Sequence, residues 1–182
     1  MRITSIEAIK VVVPMRPGNT NSAEFGERPF QWEPIHILQV RTDDGLVGLG
    51  EVPRNVDSAT VQEGIQRLVG QDPLRLNLQE IPGLIANRAY NGFEMGLCDL
   101  VGKALGVPAY ELLGGAYRQR VAVSYWTGTR TPEDLVRVGE RARELGFTTL
   151  KCKCRWGEPY VEQMTAVAQA LPGLRLINDF NT

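Results

Sequence analysis

The residues after Gly115 alternate between strand-like and helix-like stretches, and this alternation constrains the fold more than any other feature. The stretches typical of strands are Val121–Trp126, Thr148–Cys154 and Leu174–Asn181. Between them, Thr131-Pro132-Glu133-Asp134 combines a capping hydroxyl, a proline and two acids, and Glu158-Pro159 opens a second helical stretch. Strands and helices that alternate at this spacing indicate a parallel sheet whose strands are joined by helices.

The first part of the chain has a different pattern. Three strand-like stretches come first, at Ile3–Val13, Ile35–Thr42 and Leu46–Glu51, and Asp43-Asp44-Gly45 supplies a hairpin turn between the last two. Helix-like stretches follow, which predicts an antiparallel three-stranded meander with helices, an α+β domain. We expect a boundary near residues 115–120, with one domain at 1–120 and the next at 121–182.

Composition excludes several classes of protein. The 182 residues carry a formal net charge of −1 with acids and bases mixed, which argues against a nucleic-acid or membrane-surface partner. No apolar run approaches the ~18 residues of a membrane span, and the first residues lack the apolar region of a secretory signal. The chain has three cysteines, Cys98, Cys152 and Cys154. A small, odd number of cysteines does not form a disulfide framework, which favours a reducing cytoplasm and buried thiols.

The strand Thr148–Cys154 carries the most unusual chemistry of the chain. Side chains alternate faces along a strand, so Lys151 and Lys153 share one face and the two cysteines the other. Two ammonium groups side by side are costly inside a parallel sheet unless a site uses them, although a solvated face would also accommodate them. Asp179, at the end of the last strand, is either a further member of that site or a helix cap.

Three motifs together resemble the enolase superfamily, in its mandelate racemase and muconate cycloisomerase branch. The first is Gly48-Leu49-Gly50-Glu51, which closes the meander. The second is Glu94-Met95-Gly96-Leu97-Cys98-Asp99-Leu100-Val101-Gly102-Lys103, followed by Pro108 and Leu112-Leu113-Gly114-Gly115. The third is Lys151-x-Lys153 followed by Asp179-x-Asn181. Gly96 stands where the family usually has alanine, a difference that concerns helix packing.

The resemblance implies an architecture and a set of roles. Residues 1–120 would form most of a capping domain, and residues 121–182 the first three strands of a (β/α)8 barrel, whose active sites lie at the carboxyl ends of the strands. Lys153 would be the general base on the α-carbon of a carboxylate substrate, and Lys151 would stabilise carboxylate charge beside it. Asp179 would be the first of three acidic ligands to Mg2+.

This chemistry is consistent with the residue types. Removal of a proton α to a carboxylate builds a dianionic enediolate, which a hard cation on its oxygens stabilises. Mg2+ prefers oxygen ligands, and a neighbouring ammonium disfavours the charged form of a lysine base. The combination of a lysine or histidine base with Mg2+ is the general pattern described for enolase-superfamily sites.

Other polar residues are candidates for substrate contact or for structural roles. The long loop of residues 15–34 offers Asn19 and Phe25 as substrate-binding residues, with Arg16 and Arg28 unranked beside them, and Asn181 lies on the face of Asp179. We expect the one histidine, His36, to be structural because it lies in the middle of a strand of the meander. Asp99 and Lys103 are four residues apart on one helix and are expected to pair with each other or to support the contact between the domains.

Several outcomes remain open from sequence. Three strands are fewer than the eight of a barrel, so further Mg2+ ligands are expected beyond residue 182, and this chain alone is expected neither to bind Mg2+ tightly nor to catalyse. Lys-x-Lys favours a racemase, epimerase or cycloisomerase; a sugar-acid dehydratase, a lyase of the same superfamily, is the alternative. A non-catalytic α/β interaction module is the rival from another class. A small carboxylate substrate and a homo-oligomeric state are expected.

Overall fold

The computed structural model describes residues 1–14, 21–26 and 33–180, which fall into two compact units. The first unit contains the described residues of Met1–Val13 and Trp32–Gln119, and the second those of Pro14–Gln31 and Arg120–Thr182. The segment Asn21–Gly26 therefore belongs to the second unit, although it lies in sequence between two strands of the first. None of the described helices is long and apolar enough to cross a membrane.

The first unit is an antiparallel sheet with helices, as predicted. Strands β1 (Ile3–Val11), β2 (Ile35–Thr42) and β3 (Val47–Val52) pair in the order β1-β2-β3. The helices are α1 (Ser58–Leu68), α2 (Tyr90–Leu105) and α3 (Ala109–Leu112), with a 3-10 turn at Pro73–Arg75. The described core between sheet and helices is apolar and includes Leu38, Val40, Val52, Phe93, Leu97 and Leu100.

Helix α2 packs on β3 at a separation that only glycines allow. A Cβ placed on Gly48 would overlap the backbone oxygen of Gly96, and one on Gly50 would overlap the backbone oxygen of Gly92. Any larger residue would push the helix off the strand, which breaks close packing in the core. The Gly-Leu-Gly motif of β3 therefore serves the contact between β3 and α2.

The polar residues of α2 satisfy the backbone of β3. The Leu49 amide donates to Asp99 Oδ2 at 2.8 Å, and Lys103 Nζ donates to the Val47 carbonyl oxygen at 2.8 Å. Lys103 also pairs with Asp99 Oδ2 at 2.7 Å, as the spacing of the two residues predicts. Since β3 lies at one end of the three-stranded order, these contacts satisfy backbone groups at an edge where no described strand pairs.

The second unit is a parallel sheet with helices packed on it. Strands β4 (Tyr125–Thr127), β5 (Thr149–Lys153) and β6 (Arg175–Asp179) pair in the order β4-β5-β6, joined by α4 (Pro132–Glu144) and α5 (Tyr160–Ala170). The buried core contains residues of β5 and of both helices or their ends: Leu135, Leu150, Cys152, Cys154, Val167, Leu171 and Leu174. The predicted α+β domain followed by a βαβαβ unit is confirmed.

Strand β4 differs from its predicted position. The sequence favours a strand over Val121–Trp126, whereas the structure has β4 at Tyr125–Thr127. Val121 and Val123 are each 69% exposed, and no strand of the described chain pairs with them. Valine is a β-branched residue that favours strands, but the pairing of β4 with β5 begins only at Tyr125, which lies opposite Leu150.

Candidate active site

Strand β5 presents lysines on one face of the parallel sheet and cysteines on the other. Lys151 and Lys153 have side chains that are 35% and 26% exposed. Cys152 and Cys154 are 2% and 1% exposed and lie in the core with α4 and α5. The alternation read from the sequence therefore separates a polar, water-accessible face from an apolar, buried one.

Asp179 joins both lysines at the carboxyl end of the sheet. In the parallel register of β5 and β6, Lys153 lies opposite Asp179. Lys153 Nζ is 2.8 Å from Asp179 Oδ2, and Lys151 Nζ is 2.9 Å from the same oxygen. The structure thus brings together the three charged residues that the sequence singled out, although Asp179 lies more than 25 positions after the lysines along the chain.

This arrangement has a defined chemical capacity. One carboxylate between two ammonium groups offsets the repulsion that would otherwise oppose them. An ammonium group at this position can stabilise a carboxylate or an oxyanion of a ligand. A lysine that loses its proton there can accept a proton from an acidic carbon, since a base needs only hydrogen-bond reach of the proton it removes.

Two residues of the same face were missed in the sequence analysis. Trp126 lies opposite Lys151 in β4, and Ile177 lies opposite Lys151 in β6. Trp126 is half-buried and Ile177 is 45% exposed, so Lys151 is flanked by apolar side chains in one row across the sheet. Strand alternation combined with parallel register was the signal that could have identified them.

The thiols on the opposite face are structural, as predicted. Cys152 Sγ donates to Asn178 Oδ1 at 3.0 Å and lies 4.0 Å from Cys154 Sγ. Burial, with a smaller effect of Cys154, raises the pKa of the Cys152 thiol to about 12. Burial likewise raises the pKa of Cys154. Neutral, desolvated thiols are poor metal ligands and poor nucleophiles.

The predicted substrate residues lie mostly outside the described structure. Asn19 and Asn181 lie outside the described residues, as do Arg16 and Arg28. Phe25 ends a 3-10 turn at Ala23–Phe25 and is half-buried.

Next to the two lysines, Asp179 offers one carboxylate suited to Mg2+ and not a complete site. The Asp179 carboxylate is the kind of hard oxygen donor that Mg2+ prefers. Within the described ranges, no group of three or more histidine, cysteine, aspartate or glutamate side chains is placed to hold a metal ion. A single carboxylate that also contacts two ammonium groups does not provide the coordination that Mg2+ requires.

His36 belongs to the first unit, whereas the three charged residues belong to the second. It is buried in β2 of the first unit, 5% exposed, in register with Lys10 of β1 and Val52 of β3. This position agrees with a structural histidine.

Comparison with known proteins identifies a family for the first unit. The model of the mandelate racemase / muconate lactonizing enzyme N-terminal domain matches residues 6–114. D-galactonate dehydratase from Variovorax paradoxus (strain S110) is 39% identical over 129 residues, which are 63% of this chain and 34% of that protein. The matched part of the chain is thus about a third of the length of this curated relative.

Solved structures extend the similarity over both units. The dipeptide epimerase from Enterococcus faecalis V583, complexed with Mg and the dipeptide L-Leu-L-Tyr, matches 100% of this chain with a TM-score of 0.83 at 23% identity. An isomerase from Streptomyces coelicolor A3(2) matches 99% of the chain with a TM-score of 0.72 at 27% identity. The chain covers 54% and 52% of these two structures, about half of each.

Proposed function

Since the chain belongs to the mandelate racemase / muconate lactonizing enzyme family, we propose that it serves a magnesium-dependent enzyme that abstracts the α-proton of a carboxylate substrate. The observation that carries the proposal is the contact of Lys151 and Lys153 with one oxygen of Asp179. Lys153 and Asp179 end β5 and β6, and Lys151 lies two positions before Lys153 on the same face. Barrel enzymes of this type place their active sites at the carboxyl ends of the strands.

Each charged residue is assigned a role in this proposal. Lys153 accepts the α-proton as general base, and Lys151 holds the substrate carboxylate by charge. Asp179 supplies one ligand oxygen to Mg2+, with further ligands from other segments of the full-length protein. When bound, Mg2+ supplies positive charge that stabilises the enediolate oxygens.

Other groups complete the proposed site. Phe25 contacts the substrate, as do Asn19 and Asn181, which remain predictions from the sequence. Trp126 and Ile177 add an apolar boundary beside Lys151 because they occupy the same row of the sheet. The expected setting is a cytoplasmic homo-oligomer with a small carboxylate as its partner.

Two reaction types compete within this chemistry. Racemisation, epimerisation or cycloisomerisation is our first assignment, because Lys-x-Lys places a lysine base beside the substrate. Dehydration of a sugar acid is the second candidate, and the 39% identity to a D-galactonate dehydratase favours it. Both begin with the removal of the same α-proton.

A direct assay separates the two. The full-length protein with Mg2+ is incubated with D-galactonate and, in a parallel reaction, with L-Leu-L-Tyr. Change of configuration in the dipeptide, followed by chiral chromatography, supports the first assignment, and loss of water from D-galactonate supports the second. If neither these compounds nor a wider panel of α-substituted carboxylates is converted, the enzymatic proposal is wrong and the interaction module is favoured.

A further inference from the structure

The segment Asn21–Gly26 is attached to the loop that follows β4. The Ser22 amide donates to the Thr129 carbonyl oxygen at 2.9 Å, and the Thr129 amide donates to Asn21 Oδ1 at 3.0 Å. These reciprocal bonds join residues that are more than 100 positions apart in sequence. They place the segment on the same end of the sheet as the charged residues, because Thr129 follows the carboxyl end of β4.

Ser22 adds a second connection through its side chain. Its hydroxyl oxygen accepts from the Thr131 amide at 3.1 Å, and its hydroxyl donates to Asp134 Oδ2. Ser22 is 3% exposed, so these bonds are shielded from water. A buried polar side chain that satisfies two groups of the α4 start fixes the segment in place.

Thr129 reaches a second loop through its own side chain. Its hydroxyl donates to Glu158 Oε2 at 3.2 Å, and the same oxygen accepts from the Arg155 amide at 2.8 Å. Arg155 lies two residues after Lys153. A continuous chain of hydrogen bonds therefore runs from Ser22 through Thr129 and Glu158 to the backbone that follows the lysine strand.

We propose that Thr129 couples the segment Asn21–Gly26 to the loop after Lys153, and that Thr129 and Glu158 are positioning residues for this lysine. The coupling uses two different parts of Thr129, its backbone toward the segment and its hydroxyl toward Glu158. The positioning role of Thr129 and Glu158 rests on the proposed function of Lys153, whereas the coupling between the segment and the loop does not. Thr129 is 1% exposed, so its hydroxyl is held in one buried environment.

Two substitutions separate the two halves of this connection. Thr129→Val keeps the shape and the backbone bonds to Asn21 and Ser22 but removes the hydroxyl that contacts Glu158. Thr129→Ser retains that hydroxyl and is the matched control. Ser22→Ala removes the bonds to Thr131 and Asp134 and leaves Thr129 intact.

Hydrogen exchange of the Ser22 and Arg155 amides, measured by NMR on the 182-residue chain, reports on the two ends of the connection. Thr129→Val is expected to speed exchange at Arg155 about fivefold, the effect of losing roughly one hydrogen bond, while Thr129→Ser leaves it unchanged. Ser22→Ala is expected to speed exchange at the amides of residue 22 and of Arg155. When Ser22→Ala is combined with Thr129→Val, exchange at Arg155 is expected to be no faster than in Thr129→Val alone. The coupling would be overturned if Ser22→Ala sped exchange only at residue 22, or if Thr129→Val left exchange at Arg155 unchanged.

Kinetics of the full-length protein test the positioning role. Thr129→Val is expected to lower kcat several-fold with KM nearly unchanged, and Thr129→Ser to restore it. Equal kcat for the valine and serine variants would overturn the positioning role. Failure of the proposed function would show itself separately, as activity that survives Lys153→Met, and the amide exchange result would stand in that case.

Discussion

At β5 and β6, two ammonium groups contact one carboxylate oxygen while all three side chains remain between 24% and 35% exposed. Ion pairs with this access to water are screened and typically contribute no more than about 1 kcal/mol each. The free energy of folding therefore gives little reason to place Lys151, Lys153 and Asp179 together. Groups that remain reachable by a ligand while held in a fixed geometry are what a binding or catalytic site requires.

The three cysteines should be unreactive in the folded chain. Burial raises the pKa of Cys98, Cys152 and Cys154, so few thiolates form near pH 8. Titration with a chromogenic disulfide reagent should therefore show almost no reaction in native buffer and three thiols per chain in denaturant. Rapid reaction of any one of them in native buffer would contradict the buried positions described above.

At the scale of single elements, the contact between α2 and β3 depends on glycine. Gly50→Ala is expected to destabilise the first unit by about 2 kcal/mol or more, because its Cβ would overlap the Gly92 backbone oxygen. The overlap can be relieved only by moving the backbone of β3 or α2, which disrupts the packing between them. Urea denaturation measures the change in the free energy of unfolding. Leu49→Ala is the matched control: Leu49 is 49% exposed on the neighbouring position, and its loss should cost clearly less. Equal effects of the two substitutions would disprove the tight contact.

The start of α4 should make the second unit sensitive to acid. The hydrogen bond from Ser22, assisted by Arg137, lowers the pKa of Asp134 from its ordinary value of 3.8. A carboxyl whose pKa is lower in the folded state stabilises the fold above its unfolded pKa, and this contribution is lost as pH falls through the folded pKa. Asp134→Asn should therefore flatten the loss of stability as the pH falls below this ordinary value, and circular dichroism measures that loss.

Glu133→Gln, in the same turn of α4, is the control for this experiment. It should leave the acid limb of the stability curve close to that of the unchanged chain. An Asp134→Asn variant with the same acid limb as the unchanged chain would show that Ser22 does not hold this carboxylate in its charged form.

The sequence was informative wherever the interactions are local. Alternation along β5 separates lysines from cysteines, and the Thr131-Pro132 start of α4 is found as predicted, with Thr131 Oγ1 accepting from the Asp134 amide at 3.2 Å. Long-range pairings were less accessible. The start of β4 was misplaced because its register depends on β5, and Trp126 was overlooked for the same reason. The attachment of Ser22 to Thr129 joins residues with no local signal at all.

The roles of the site residues remain predictions from the sequence that the geometry supports. The resemblance to the family assigns these roles: Lys153 as base, Lys151 as carboxylate-binding residue and Asp179 as metal ligand. Alternation and periodicity predict which side chains share a face, but they do not predict the chemical role of a side chain. Their proximity in the fold is the part that the structure adds. Asn19 and Asn181 stay predictions of the same kind.

At the scale of the whole molecule, the chain covers about half of the solved structures it matches. Because the described residues place no group of three metal-ligating side chains together, the 182-residue chain should show no saturable heat when titrated with Mg2+. Isothermal calorimetry at constant ionic strength, with Ca2+ as a parallel titrant, measures this. Tight, stoichiometric binding of Mg2+ that is lost in Asp179→Asn would contradict the expectation of an incomplete site.

If Lys153 removes an α-proton, as we propose, that proton exchanges with deuterium from the solvent, and the exchange can be measured. The full-length protein with Mg2+ is incubated in D2O with D-galactonate or L-Leu-L-Tyr, and the α-proton signal is followed by 1H NMR. We expect the signal of at least one compound to disappear, and Lys153→Met to slow the loss about 10^3-fold, within the range of general-base catalysis, while the surface variant Lys10→Met does not. Exchange at the unchanged rate in Lys153→Met would show that Lys153 is not the base that removes the α-proton.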